Sequence, residues 1–257
     1  MGTIIIIKRH MKTSILMSAK IQTAKHVEWF HQAVNSILAN TYGNYQFVIV
    51  NDNSEIWEPP KEDHRIKVIH NTDSKGLAHA LNIGLFHCTG DIIIHMDADD
   101  IARTTMISKL VGFFHDTPQA VCCGIQLEAF HHNNGSPMTL GGGFPTRHPK
   151  VIDLEIWKRR ANVRDFWFIN HPGATFKKDV VMKLGGYREG VSAKGVISGG
   201  MEDMILFNEM AMQGYVINNL QEVLMDYRWK PAPGRQTRHY FEAYRNETDK
   251  FREAAIG

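Results

Sequence analysis

With 257 residues, 43% hydrophobic and 22% charged, the chain has the make-up of an ordinary globular protein, long enough to bury one large core. A formal net charge of +2 excludes the electropositivity of a dedicated nucleic-acid binder. No apolar run reaches membrane-span length, and three cysteines, two of them adjacent, exclude a disulfide framework or a zinc motif. The expected setting is cytoplasmic, with peripheral membrane contact left open.

The opening TIIIIKRH is too short for a secretory signal core, and Met11 begins the more ordinary MKTSILMSAK. Ser14 to Ser18 predicts a first strand. Val27, Phe30, Val34, Ile37 and Leu38 then recur at helical spacing up to Ala39, which opens a βαβ unit. Phe47 to Val50 predicts a second strand running directly into Asn51, Asp52, Asn53 and Ser54, and Arg65 to His70 a third. From Gly76 to Gly90, GLAHALNIGLFHCTG carries Leu77, Leu81 and Leu85 on one helical face and stops at a glycine.

DIIIHMDADD, residues 91 to 100, is the most informative stretch. Its mostly β-branched run from Ile92 predicts a buried strand that ends where the acids begin. Alternation places Asp97 and Asp99 on one side of the chain, close enough to share a hard cation or to hold a metal-bound diphosphate. In open α/β sheets ligands gather outside the carboxyl ends of the strands, which predicts that Ser18, Asp52 and Asp97 converge. Plainer uses exist: Asp99 and Asp100 as caps of the next helix, Asp52 in an Asx turn. No GxGxxG and no GxxxxGK[ST] is present, so a glycine-rich loop is not available to hold phosphates and a metal must.

Thr104 to His115 predicts a helix and Ala120 to Ile125 a strand. Residues 131 to 149 are rich in Gly, Pro and Asn and predict a long loop whose His131, His132 and His148 are solvated. FWFINHPGATFKKDVV, from Phe166, predicts an aromatic strand followed by Asn170 and His171. Trp157, Trp167 and Phe168 either stack on a sugar ring or fill the core. Glu202 and Asp203 precede a helix with Ile205, Leu206 and Met210 facing inward. Arg228, Lys230, Arg235, Arg238 and His239 suit either a lid over phosphate or an exposed tail, and 240–256 either a polar terminal helix or a loosely held tail.

Taken in order, SILMSAK, VNDNS, GLAHALNIGL, MDADD, NHPGATFKKDVVMKLGGYRE and MEDMILFNEMAMQGY resemble the family 2 glycosyltransferases of GT-A fold over most of residues 12 to 230. The resemblance implies one α/β domain with a Rossmann-like, mostly parallel central sheet flanked by helices. Residues 12–124 would bind the nucleotide-sugar and 125–230 the acceptor, with 231–257 a basic lid or tail. It implies that Asp52 contacts the base, Asp97 lies against the ribose, and Asp99 binds Mn²⁺ or Mg²⁺. Ser18 and Lys20 fall where the family's first loop wraps the nucleotide, and Asn170, His171 and Trp167 where it walls the acceptor. Asp203 stands at the family's base, with Glu202 in support. VNDNS replaces the common VDDGS, and MSAK the common PTYN.

The implied reaction is an inverting, metal-dependent transfer from a nucleoside-diphosphate sugar, with a UDP-sugar expected, to a hydroxyl of a glycan or other acceptor. The alternatives are a non-catalytic nucleotide-sugar-binding protein, which has no use for Asp203, and a sugar nucleotidyltransferase, whose glycine-rich N-terminal loop is missing. A processive membrane synthase needs QxxRW; Arg228-Trp229 is present without the Gln.

Overall fold

The computed structural model describes residues 11–138, 147–189, 201–229 and 238–256, the side chains of 238–243 excepted. Its first half is a parallel block. β1 (Thr13–Ala19), β2 (Gln46–Asp52) and β4 (Ile92–Asp97) are near-continuous buried runs, as strands covered on both faces must be. With β3 (Ile66–Asn71) they pair in the order β3-β2-β1-β4, all parallel. β9 (Thr175–Lys177) is antiparallel both to β4 and to β6 (Cys122–His131), and β6 is parallel to β10 (Ile217–Trp229). The long strands therefore all run one way, with one short reversed strand between β4 and β6. Two-residue strands, β5 (Ile101–Ala102), β7 (Pro137–Met138) and β8 (Val151–Ile152), trim the second half.

Alternation along β1 sorts its side chains into two cores. Ile15 and Met17 join Phe47, Ile49 and Ile94 beneath α1 (Ala24–Leu38) and α3 (Met106–Asp116), which contribute Phe30, Val34, Leu110 and Phe114. Leu16 joins Val48, Val50 and Ile93 on the other face, under α2 (Leu77–His87). Gly84 permits the approach of that helix, since a Cβ there would lie 2.1 Å from Leu16 Cδ1. The second core continues through α4 (Leu154–Asn162), α5 (Lys178–Lys183) and α6 (Glu202–Met212). The three layers form one α/β domain, as expected.

Two expectations change, and one of two alternatives is decided. The aromatic run from Phe166 is not a strand, because its carbonyls are taken by side chains instead of a ladder. Asn208 Nδ2 donates to Phe166 O, Arg160 to Trp167 O, and Asn219 Nδ2 to Phe168 O. The polar C-terminal segment is not a loose tail: α7 (Arg238–Ile256) buries Phe251 and Ala255 against the second core. His148 is buried, not solvated. Among the described residues no helix is long and apolar enough to cross a membrane.

Candidate active site

The parallel block delivers polar residues to its carboxyl edge, where ligands of open α/β sheets collect. Ser18 and Asp97 are direct partners across the β1–β4 ladder. β4 stops at Asp97 and the chain turns, so Asp99 is placed by a turn and not by strand alternation. The carboxylates of Asp97, Asp99 and Asp100 each bring an oxygen within 4.8 Å of the others. Ser18, Lys20, Asp97, Asp99 and Arg228 line one cleft of about 300 Å³. Asp100 is fully buried and its Oδ1 accepts the Arg228 backbone N–H at 2.8 Å, which ties the acidic turn to β10. The N-cap of α3 is Thr105, which makes no side-chain capping bond, and Asn40 Oδ1 accepts the Ile107 N–H at 3.0 Å, so Asp99 and Asp100 do not stand at the cap position of that helix. Hard oxygen donors at this spacing fit Mg²⁺ or Mn²⁺.

Arg228 belongs to β10, not to a lid. Its Nε donates to Asp99 O at 2.7 Å and its Nη2 to Gln32 Oε1 at 2.6 Å, while Trp29 and Phe130 flank the guanidinium at 5.3 and 4.6 Å. Burial lowers its pKa against the pull of Asp99, Asp100 and Glu28, and an arginine so placed still carries its charge. The sequence suggested a mobile basic segment; the structure makes this residue a fixed cation packed between rings. Lys230 and Arg235 lie outside the described residues, as do the side chains of Arg238 and His239.

Asp52 is buried behind the cleft and does not line it. Its oxygens accept Asn71 Nδ2 and Ser74 Oγ, each at 2.7 Å, and Ser74 Oγ accepts Lys20 Nζ at 3.0 Å. Asp52 therefore meets the cleft through Ser74 and Lys20. The side chain that bonds the backbone of this loop is that of Asn51, whose Oδ1 accepts the Ser54 N–H at 3.1 Å.

Behind Asp97 stands a residue that the sequence reading passed over. His95, 1% exposed at its side chain, places Nε2 at 2.9 Å from Asp97 Oδ1. Its ring lies on that of His171 at 3.5 Å and 3°. His171 Nε2 is 3.0 Å from the Tyr187 hydroxyl, and its Nδ1 is 4.0 Å from Asp203 Oδ2. Burial first, and His95 second, hold His171 well below the ordinary histidine pKa. A cation lies in the plane of each imidazole that binds it, so these near-parallel rings do not share one. The signal in the sequence was a polar residue in the apolar run IIIHM, on the same strand face as Asp97.

Asp203 and Glu202 stand in the first turn of α6, at the positive end of the helix. Asp203 Oδ1 accepts the Met204 N–H at 2.7 Å, and the buried Glu202 accepts the Met201 N–H at 3.1 Å. Of the residues expected to wall the acceptor, Asn170 donates to Ile125 O and pairs with His148 Nε2, and Trp167 packs half-buried against the second core. Trp157 and Phe168 are core residues outright, the Trp157 indole donating to Asn208.

Burial depresses the His148 pKa to about 4. The unfolded chain takes that proton near pH 6.5, so the fold keeps its full stability above about 6.5 and loses it as the pH falls towards about 4. The thermal midpoint is expected to decline over that window. In His148→Gln the decline should be shallower, with His171 supplying part of what remains.

A family model described as glycosyl transferase family 2 matches residues 18–181, a span that opens at the carboxyl end of β1 and contains both edge acids Asp52 and Asp97 and the His171 turn. The chain belongs to glycosyl transferase family 2. Like other members it is a glycosyltransferase. It is 26% identical over 249 residues to an uncharacterized glycosyltransferase of Haemophilus influenzae, covering 93% of this chain and 72% of that one. It is 27% identical to the UDP-Gal:alpha-D-GlcNAc-diphosphoundecaprenol beta-1,3-galactosyltransferase of Escherichia coli, covering 85% and 74%. Residues 1–349 of S. aureus TarS, crystallised with UDP-GlcNAc, share the fold with a TM-score of 0.63 at 14% identity, over 96% of this chain and 72% of that one. The family 2 chain spans 39% of another, longer TarS structure.

Proposed function

We propose that this family 2 enzyme is an inverting, metal-dependent glycosyltransferase that moves a sugar from a UDP-sugar to a hydroxyl of a glycan or other acceptor. The observation that carries the reading is the convergence of Ser18, Lys20, Asp97, Asp99 and Arg228 on one cleft at the carboxyl edge of the parallel strands. Acids able to hold a metal and two cations able to meet the donor's phosphates face it, and a UDP-sugar is named on the E. coli relative and a TarS structure.

In this reading Asp99 and Asp97 hold Mn²⁺ or Mg²⁺, which when bound neutralises the charge that collects on the leaving diphosphate. Lys20 and the fixed Arg228 supply charge-assisted hydrogen bonds to the phosphate oxygens. Ser18 lies along the nucleoside, and Asp52, through Ser74 and Lys20, shapes the pocket for the base. Asp203 takes the proton of the acceptor hydroxyl as its oxygen bonds to the anomeric carbon. The bond from that carbon to the diphosphate breaks on the opposite face, so the configuration inverts. Glu202, Asn170, His171 and Trp167 support the acceptor side, residues 12–124 serve the donor and 125–230 the acceptor. A cytoplasmic setting suits three buried, unpaired cysteines.

The test is a thermal melt against nucleoside diphosphates and their sugars, with and without Mn²⁺. A ligand held at 100 times its Kd stabilises the fold by about 2.7 kcal/mol, several degrees for a domain of this size. UDP and a UDP-sugar with Mn²⁺ should give that rise. A rise that ignores the metal would remove the metal assignment, and one that favours another nucleotide would remove uridine.

A further inference from the structure

His95 and His171 have no assigned chemistry that explains their arrangement, and the core does not need it. His95 Nε2 faces a carboxylate, which only accepts, so Nε2 carries a hydrogen and donates it to Asp97 Oδ1. Its other nitrogen, Nδ1, is buried without a hydrogen-bond partner. An apolar side chain of similar volume would fill the same space and spare the cost of an unsatisfied nitrogen, about 1–3 kcal/mol. The pair is nonetheless tightly set. His95 N–H donates to Ala174 O at 2.8 Å, and Gly173 N–H returns to His95 O at 2.9 Å. Gly173 has φ +78, and a Cβ on it would lie 2.3 Å from Ile125 Cδ1, so only glycine fits the turn that lays His171 on His95. The stack is clamped by its own backbone as well as by its faces.

We propose that the stacked imidazoles are a positioning pair: His95 fixes the Asp97 carboxylate for metal and donor, and His171, anchored on Tyr187, fixes the distance from that carboxylate to Asp203. This rests on the reading of the cleft given above. Oδ1 of Asp97 is used by His95, while the carboxylate still reaches the cleft, 31% exposed. A ligand oriented from behind by a hydrogen bond loses affinity about 10- to 100-fold when that partner is removed.

The experiment is a calorimetric titration of Mn²⁺ into the protein saturated with UDP, comparing the parent with His95→Leu and His95→Gln. His95→Leu should weaken Mn²⁺ binding about 10- to 100-fold, while the melting midpoint without ligand does not fall. His95→Gln, whose amide offers an N–H in place of Nε2–H, should recover most of that affinity. Unchanged Mn²⁺ affinity in His95→Leu would make the histidine a packing residue and overturn the proposal alone. Equal weakening in His95→Gln would show that the donated hydrogen is not what matters, and would also overturn it. Absence of Mn²⁺ binding by the parent with UDP would instead overturn the cleft reading, and the positioning pair with it.

Discussion

Asp99→Asn is expected to abolish the manganese-dependent response to UDP while leaving the ligand-free protein as stable as the parent. The asparagine keeps the side chain's size, so the loss is of charge and not of shape. The backbone placement survives as well, because Arg228 holds this turn through the Asp99 carbonyl and through the Asp100 side chain. Removing one of the ionised oxygens facing the cleft should weaken Mn²⁺ by more than about 100-fold, beyond what a change behind the ligand produces. The check is the same Mn²⁺ titration in UDP, with a melt in buffer as control. Retained affinity would move the metal to other residues; a lowered melt in buffer would mean that Asp99, like Asp100, holds β10 in place.

Much of this site was legible before any coordinates, and the reason is geometric. Apolar runs that end in acids mark the carboxyl edges of buried parallel strands, and the register then requires Ser18 and Asp97 to be neighbours. What was not legible depends on partners distant in the chain. Nothing local to FWFI says that Asn208, Arg160 and Asn219 will take its carbonyls, so an aromatic run that reads as a strand is an irregular core segment. Arg228 sits among Gly, Pro and basic residues that suggest mobility, yet Trp29, Gln32 and Phe130 fix it from α1 and β6. His95 hid in an apolar run because its companions, Asp97 aside, come from a turn almost eighty residues on.

Asp203→Asn is expected to remove transfer while sparing donor binding. The two oxygens of Asp203 do different work: Oδ1 accepts the Met204 N–H, and Oδ2 lies 4.0 Å from His171 Nδ1. An asparagine that keeps its Oδ1 on Met204 retains the first turn of α6, and gives up only the group able to take a proton. General-base loss typically lowers turnover about 10²- to 10⁴-fold. No acceptor needs to be known for the measurement, since water can take its place: release of UDP from UDP-glucose, UDP-galactose or UDP-GlcNAc with Mn²⁺ reads the same displacement. The variant should release UDP about 10²- to 10⁴-fold more slowly than the parent and still show the parent's Mn²⁺-dependent melt with UDP. Full release by the variant would move the base elsewhere, with Glu202, buried one residue away on the same helix end, next to be replaced. Loss of release together with loss of binding would mean that Asp203 acts through the His171–His95 stack on Asp97 and not on the acceptor. The two readouts thus divide the site where the structure divides it, at the pair of rings between the two acids.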